Sequence, residues 1–243
     1  MQLENYFSPV GADGQNVQFS REQASDFAKQ IANDFNPIHD SDAKRFCVPG
    51  DLLFSIGVSK LGLSQKMHID FADMLSDGIA IGYKEVEAGK VDVQDDKAKR
   101  YLSIESSGER CVNQASVLAL VKEYVAFSGL TFPHILVPLW KEKNAMVNPA
   151  RPLVIYQSMT IELDTLDFER PQLELGHCEL DVNGKRGNVI LRFNFISDGK
   201  KIGTGEKRMV LSGLREYDQT VIDELSDFYS KRKTDYQSKL ARP

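Results

Sequence analysis

An aspartate and a histidine five residues apart, Asp34 and His39, enclose the segment Phe35-Asn36-Pro37-Ile38. A carboxylate and an imidazole delivered by one short turn can share a water or a substrate proton, which is the equipment of general acid–base chemistry. Asn36-Pro37 stiffens the turn, because proline fixes its own φ and keeps the preceding residue out of the helical region. The same residues also admit a purely structural reading. Asp34 and Asn36 can close a preceding helix, Pro37 can block its continuation, and His39 can be an ordinary loop residue.

The elements that must position the pair lie on either side of it. Upstream, Ser20-Arg21-Glu22-Gln23 has the capping-box pattern, and Ala24, Phe27, Ala28, Ile31 and Ala32 form one apolar helical face, so a helix is expected over 20–33. Downstream, a loop ends at Pro49-Gly50, and a second helix is expected from Asp51 to about Ser64. Its apolar residues (Leu52, Leu53, Phe54, Ile56, Val58, Leu61, Leu63) lie nearly all round, which marks a buried helix. The first N–H groups of that helix are free donors at a positive dipole end, and Gly50 allows close approach to them. Asp51 is expected to be the N-cap of this helix, turned away from the donors.

Alternating stretches predict strands at Met67 to Phe71, Gly78 to Val86, Lys99 to Ser106 and Arg110 to Val121. Ser106 to Leu120 and Ser197 to Leu211 align without gaps at an offset of 91 residues, each with a Ser-x-Gly followed by charges, and each reads as a long hairpin with a glycine turn. In the second half an apolar helix is expected over Phe132 to Asn144, interrupted by Pro138. Strands follow at Leu153 to Leu163, Gln172 to Val182, Gly187 to Ile196 and Lys201 to Leu211, with a turn at Asn183-Gly184. A last helix is expected from Asp218 to about Ser238, its cluster Lys231-Arg232-Lys233 being a solvated helix end.

Composition sets the bounds. The 243 residues are 42% hydrophobic and 27% charged, close to a globular average. No apolar run approaches the roughly 20 residues of a membrane span, and the N-terminus lacks signal-peptide regions. Cys47, Cys111 and Cys178 lie far apart with no C-x-x-C spacing, which points to a reducing cytoplasm and away from structural zinc. A net charge of −5 argues against nucleic acid as the main partner but leaves room for an anionic ligand held by a few local cations, among them Lys60, Lys66, Lys84 and Arg100. His68, His134 and His177 are isolated and read as packing or surface residues. Gly203-Thr204-Gly205-Glu206-Lys207 lacks the spacing of a phosphate loop.

Asp34-Phe35-Asn36-Pro37-Ile38-His39, set between a capped amphipathic helix and a buried one, resembles the D-x-N-P-L/I-H signature of the MaoC-like, (R)-specific enoyl-CoA hydratases of the hot-dog fold. The resemblance covers about Phe19 to Val121, and it implies that Asp34 and His39 are the catalytic pair. Asn36 would orient His39 or a water, and Gly50 is the oxyanion-hole candidate that binds the thioester oxygen. The second half has no such motif, as in the two-hot-dog hydratases. An α+β tandem (double) hot-dog is therefore expected, each half a curled antiparallel sheet around a buried helix. Its parts would be 1–125 with the motif, 126–214 without it, and a C-terminal helix over 215–243. The implied activity is hydration or dehydration of an acyl thioester in cytoplasmic fatty acid metabolism, with acyl-CoA or acyl-ACP as substrate. Coenzyme A enters only as part of that substrate, no other cofactor is required, and a homodimer is compatible with the fold. A non-catalytic acyl-CoA binder and a hot-dog thioesterase are the competing functions.

Overall fold

In the computed structural model, which describes residues 1–12 and 14–240, the capping box closes at Ser20. The Ser20 side chain accepts the Gln23 N–H at 3.1 Å, and Gln23 Oε1 accepts the Ser20 N–H at 3.0 Å. Two short strands, β1 (Ser8–Val10) and β2 (Asn16–Gln18), precede the helix α1 (Arg21–Asp26), which continues as a wider π turn over Phe27–Ile31. The buried helix of the first half is α2 (Gly50–Leu61), in which Leu52, Leu53, Phe54, Ile56 and Val58 are almost wholly enclosed. At roughly 1.5–3 kcal/mol for each fully buried side chain, that face is a large share of the core.

Strands β3 (Leu63–Phe71), β4 (Gly82–Glu87), β5 (Lys90–Gln94) and β6 (Arg100–Cys111) follow. Then come helix α3 (Gln114–Gly129), a π turn at Thr131–Ile135, helix α4 (Leu136–Glu142) and the short β7 (Ala145–Met146). The second half continues with β8 (Leu153–Leu163), β9 (Gln172–Asn183), β10 (Arg186–Ser197), β11 (Lys200–Ser212) and β12 (Arg215–Glu216), which pairs with β7; α5 (Gln219–Leu240) is the last described element. The main sheet has the order β4-β5-β6-β3-β8-β11-β10-β9, and its pairings are antiparallel. Read outward from the β3–β8 seam, the halves run β3-β6-β5-β4 and β8-β11-β10-β9, the same order twice. At the seam Lys66 faces Glu162 and Asp70 faces Ser158. Helices α2 and α3 cover one face, packed on each other through Phe54 and Tyr124, whose ring centres are 5.0 Å apart. This is a tandem hot-dog, α+β, with one buried helix per half.

Three expectations are corrected. The first glycine hairpin does not exist, because β6 runs unbroken through Ser106-Ser107-Gly108; Gly108 has φ +82° beside Gln65, where the β3–β6 register shifts. A left-handed glycine inside a strand marks a bulge as readily as a turn. The strand expected over Arg110 to Val121 is in its main part the start of α3, whose N-cap Asn113 accepts the Ala115 and Ser116 N–H groups. Its stretch Val117 to Val121 is an unbroken run of five apolar residues, which fits a buried strand as well as a helix, while the exposed side of the helix carries Ala115, Lys122 and Ala126. Helix α3 therefore runs through residues 125 and 126, and it, rather than 132–144, is the buried helix of the second half. Third, Asp51 is not an N-cap: Pro49 holds that position, and Asp51 lies inside the first turn. Among the described residues no single helix is long and apolar enough to cross a membrane.

Candidate active site

The motif loop begins where the π turn ends. Asn33 takes φ +53°, the left-handed conformation that asparagine tolerates at helix ends, and the Asp34 N–H returns to the Ala28 carbonyl at 2.8 Å. Gly129, at the end of α3, presses against this point; a Cβ there would lie 1.6 Å from the Ala32 carbonyl oxygen. Asp34 Oδ1 accepts the Asn36 N–H at 2.9 Å, and Asn36 Oδ1 accepts the Ile38 N–H at 3.2 Å, capping a single 3-10 turn over Pro37–His39. The Asn36 amide is thus used as a turn cap, and the residue is exposed.

His39 Nδ1 lies 2.7 Å from the Cys47 carbonyl oxygen. A carbonyl only accepts, so Nδ1 carries the proton and Nε2 of the neutral ring is a free base. That Nε2 faces Asp34 Oδ2 at 3.8 Å, with both side chains mostly buried. The separation exceeds a direct hydrogen bond, so each group keeps a lone pair open to a shared donor. Two acceptors facing each other select a group that can donate to both, which describes a water molecule. On gaining a second proton the ring instead becomes the donor partner of the carboxylate.

The C-terminal helix holds this loop from outside. The Tyr229 hydroxyl accepts the Phe35 N–H at 3.0 Å and lies 3.3 Å from the Asn33 carbonyl oxygen. Burial, then the Asp34 charge, pushes its pKa far up. Arg232 Nε donates to the Phe35 carbonyl at 3.0 Å, and its terminal nitrogen donates to Asp40, which also binds Lys29 at 3.0 Å. The Phe35 ring meets Tyr229 and Tyr236 edge-on. Arg232 is thus mostly buried against the loop and does not belong to a solvated helix end; the spacing Tyr229, Arg232, Tyr236 puts all three on one helix face.

Gly50 opens α2. Pro49 O accepts the Leu52 and Leu53 N–H groups, while the Gly50 and Asp51 N–H groups have no protein partner among the described residues. The ring that requires glycine here belongs to Phe71, since a Cβ on Gly50 would lie 2.8 Å from its Cε1. Asp51 turns into the interior and accepts the Ser128 hydroxyl at 2.5 Å. The charges of Asp34 and Asp51 both act on Tyr156 and Lys207, so the motif and the start of α2 border one electrostatic environment.

Two grooves on the polar face of the sheet, one around His177 and Arg192 and one around His68 and Lys90, contain none of these residues. They are lined by solvated ion pairs such as Arg192–Glu206 and Lys90–Glu105. Among the described residues no group of three or more His, Cys, Asp or Glu is arranged to hold a metal ion.

Similar solved structures include a conserved protein of unknown function with hot-dog fold from Alicyclobacillus acidocaldarius. It has 8% identity and a TM-score of 0.47, with 87% of this chain and 98% of that one covered. An acyl-CoA thioesterase II from Mycobacterium marinum has 9% identity and a TM-score of 0.42 over 90% of this chain and 99% of that one. A MaoC-like dehydratase has 10% identity and a TM-score of 0.41 over 82% and 95%. No curated protein matches the sequence. A family model described as "Protein of unknown function (DUF3581)" matches residues 1–220.

Proposed function

The chain belongs to the DUF3581 family, and we propose that it adds water to, or removes it from, an α,β-unsaturated acyl thioester such as an acyl-CoA. The observation that carries this reading is the commitment of His39 Nδ1 to the Cys47 carbonyl, which leaves Nε2 as a base 3.8 Å from Asp34 Oδ2. A water donating to both acceptors is held for attack on the β-carbon. One of its protons passes to the pair, its oxygen bonds to the β-carbon, and the pair returns a proton to the α-carbon. The pair ends as it began, and H and OH have added across the double bond. The negative charge that collects on the thioester oxygen needs donors fixed in advance. The Gly50 and Asp51 N–H groups at the start of α2 are the candidates, with the positive end of the helix behind them. In this scheme Asn36 acts on the backbone that carries His39, in place of touching the water.

The test is the hydration of a short enoyl-CoA, followed as loss of the conjugated thioester absorbance. Asp34→Asn and His39→Ala are each expected to lower kcat by roughly 100- to 10,000-fold. A wild-type protein no faster than these variants sinks the proposal. Release of free thiol from a saturated acyl-CoA would favour a thioesterase instead, and ligand-induced thermal stabilisation without either product would favour a binder.

A further inference from the structure

Asp51 stands one residue past Gly50 in the first turn of α2 and is only 6% exposed. A bare carboxylate there would sit on the positive end of the helix and oppose the charge that a thioester oxygen gains during hydration. The other half of the chain answers it. Ser128, on α3, donates to Asp51 Oδ2, and Lys207, on β11, donates from Nζ to the same Ser128 oxygen at 2.6 Å. Tyr156, on β8, brings its hydroxyl to 3.2 Å from that oxygen and its ring centre to 3.5 Å from Nζ. The Tyr124 ring of α3 lies 5.9 Å from Nζ on another side. Lys207 is 1% exposed. Burial works against its charge, and the two carboxylates that support it are Asp51 and, from the motif loop, Asp34. An ammonium group this deep needs a countercharge and polar contacts; the path through Ser128 supplies one hydrogen bond and the Asp51 countercharge, and the Tyr156 ring face adds a cation–π contact.

We infer that Lys207 is a positioning residue of the Asp34–His39 site: through Ser128 it anchors the Asp51 carboxylate in the interior and balances its charge, which leaves the N–H groups opening α2 to the thioester oxygen. This rests on the hydratase reading. It also gives the half without the motif a definite part in the site.

The test joins turnover to lysine NMR. With a short enoyl-CoA as substrate, Lys207→Met is expected to lose roughly 100-fold in kcat while KM changes less than about threefold. The double variant D51N/K207M is expected to regain about tenfold or more of that loss, because the carboxylate in need of balance is gone. Wild-type kcat should fall as pH rises past about 8, where Lys207 gives up its proton, and D51N should lack that limb. A double variant as slow as K207M, or a D51N profile identical to wild type, overturns the inference. If K207M does not fold, Ser128→Ala breaks the same path in the turnover arm and should give the same kcat loss. In protein labelled with 13C at lysine Cε, one buried lysine should titrate near pH 8 in wild type and at lower pH in D51N. A buried lysine titrating alike in both proteins overturns the inference whatever the turnover. Coupled titration in a wild type without turnover removes the hydratase reading and the positioning role with it, and its intact coupling tells this failure from the others.

Discussion

The hydroxyl of Tyr229 lies 3.4 Å from Oδ1 of Asp34, across a sequence separation of 195 residues. Among the described residues this hydroxyl and the Asn36 N–H are the hydrogen-bonding groups at this carboxylate oxygen. A single proton on that hydroxyl serves either Asp34 or the Asn33 carbonyl, while its lone pair serves the Phe35 N–H. Helix α5 is therefore part of the support of the motif.

Tyr229→Phe removes the acceptor of the Phe35 N–H in a half-buried setting. A loss of about 1–3 kcal/mol in unfolding free energy is expected. Denaturant unfolding measures it, and a change below a few tenths of a kcal/mol would show that α5 does not hold the loop.

Arg232→Ala releases both Phe35 O and Asp40 from their shared donor. Truncating one partner of a part-buried ion pair that also satisfies a carbonyl is expected to cost about 1–3 kcal/mol. The loss should add poorly to that of Y229F, since both side chains hold the same segment. Strict additivity in the double variant would mean that the two grips are independent.

Gly129→Ala is the harshest single change. Its Cβ would stand 1.6 Å from the Ala32 carbonyl oxygen, a backbone atom with no side-chain freedom. Either α3 withdraws or residues 32–34 shift, and both displace Asp34. A destabilisation above about 3 kcal/mol, or failure to fold, is expected in thermal unfolding. Gly50→Ala should cost less, because the Phe71 ring it meets can rotate.

Stability should depend on pH in a sequence of windows. Folded Lys207 titrates near 8 against an ordinary value of 10.5, so from pH 8 upward the unfolded chain binds a proton that the folded one has lost. More protons on the unfolded side means stability rising with pH, by up to about 1.4 kcal/mol per unit. Cys47 works oppositely from pH 9, because its folded thiol is raised to about 11 from 9.0 by burial. Above pH 10 the raised tyrosines Tyr83, Tyr124, Tyr156 and Tyr229 add to that loss. The thermal midpoint should therefore climb between pH 8 and 9 and fall above 10. K207M, wherever it folds, should lack the climb; a climb of equal size in K207M would remove Lys207 as its source.

Much of the fold could be read from local patterns. Strand β8 matches its alternating stretch residue for residue, the β9–β10 turn falls one residue past the expected pair, at Gly184-Lys185 with Asn183 facing Arg186, and the capping box at Ser20 closes. Helix α3 escaped because Val117-Leu118-Ala119-Leu120-Val121 is an unbroken apolar run that fits a buried strand as well as a helix, although Asn113 was there as a cap. Of the site residues, Asp34 and His39 come within 3.8 Å because one short turn carries both. The cluster Asp51, Ser128 and Lys207 could not be anticipated: its members are 77 and 79 residues apart, and only the sheet order and the crossing of α2 over α3 join them. Tyr229 and Arg232 reach the loop by the same kind of long-range packing.

The seam from Lys66 to Asp70 on β3 against Ser158 to Glu162 on β8 fuses the two halves into one hydrogen-bonded sheet. Two separate single-layer subunits could slide or part, and identical ones would have to carry identical residues at every related position. Fusion lifts that constraint. One half is free to specialise in the loop with Asp34 and His39, and the other in the lysine and hydroxyl that face its helix. Such a chain should bind one ligand per polypeptide, with no second, weaker binding event.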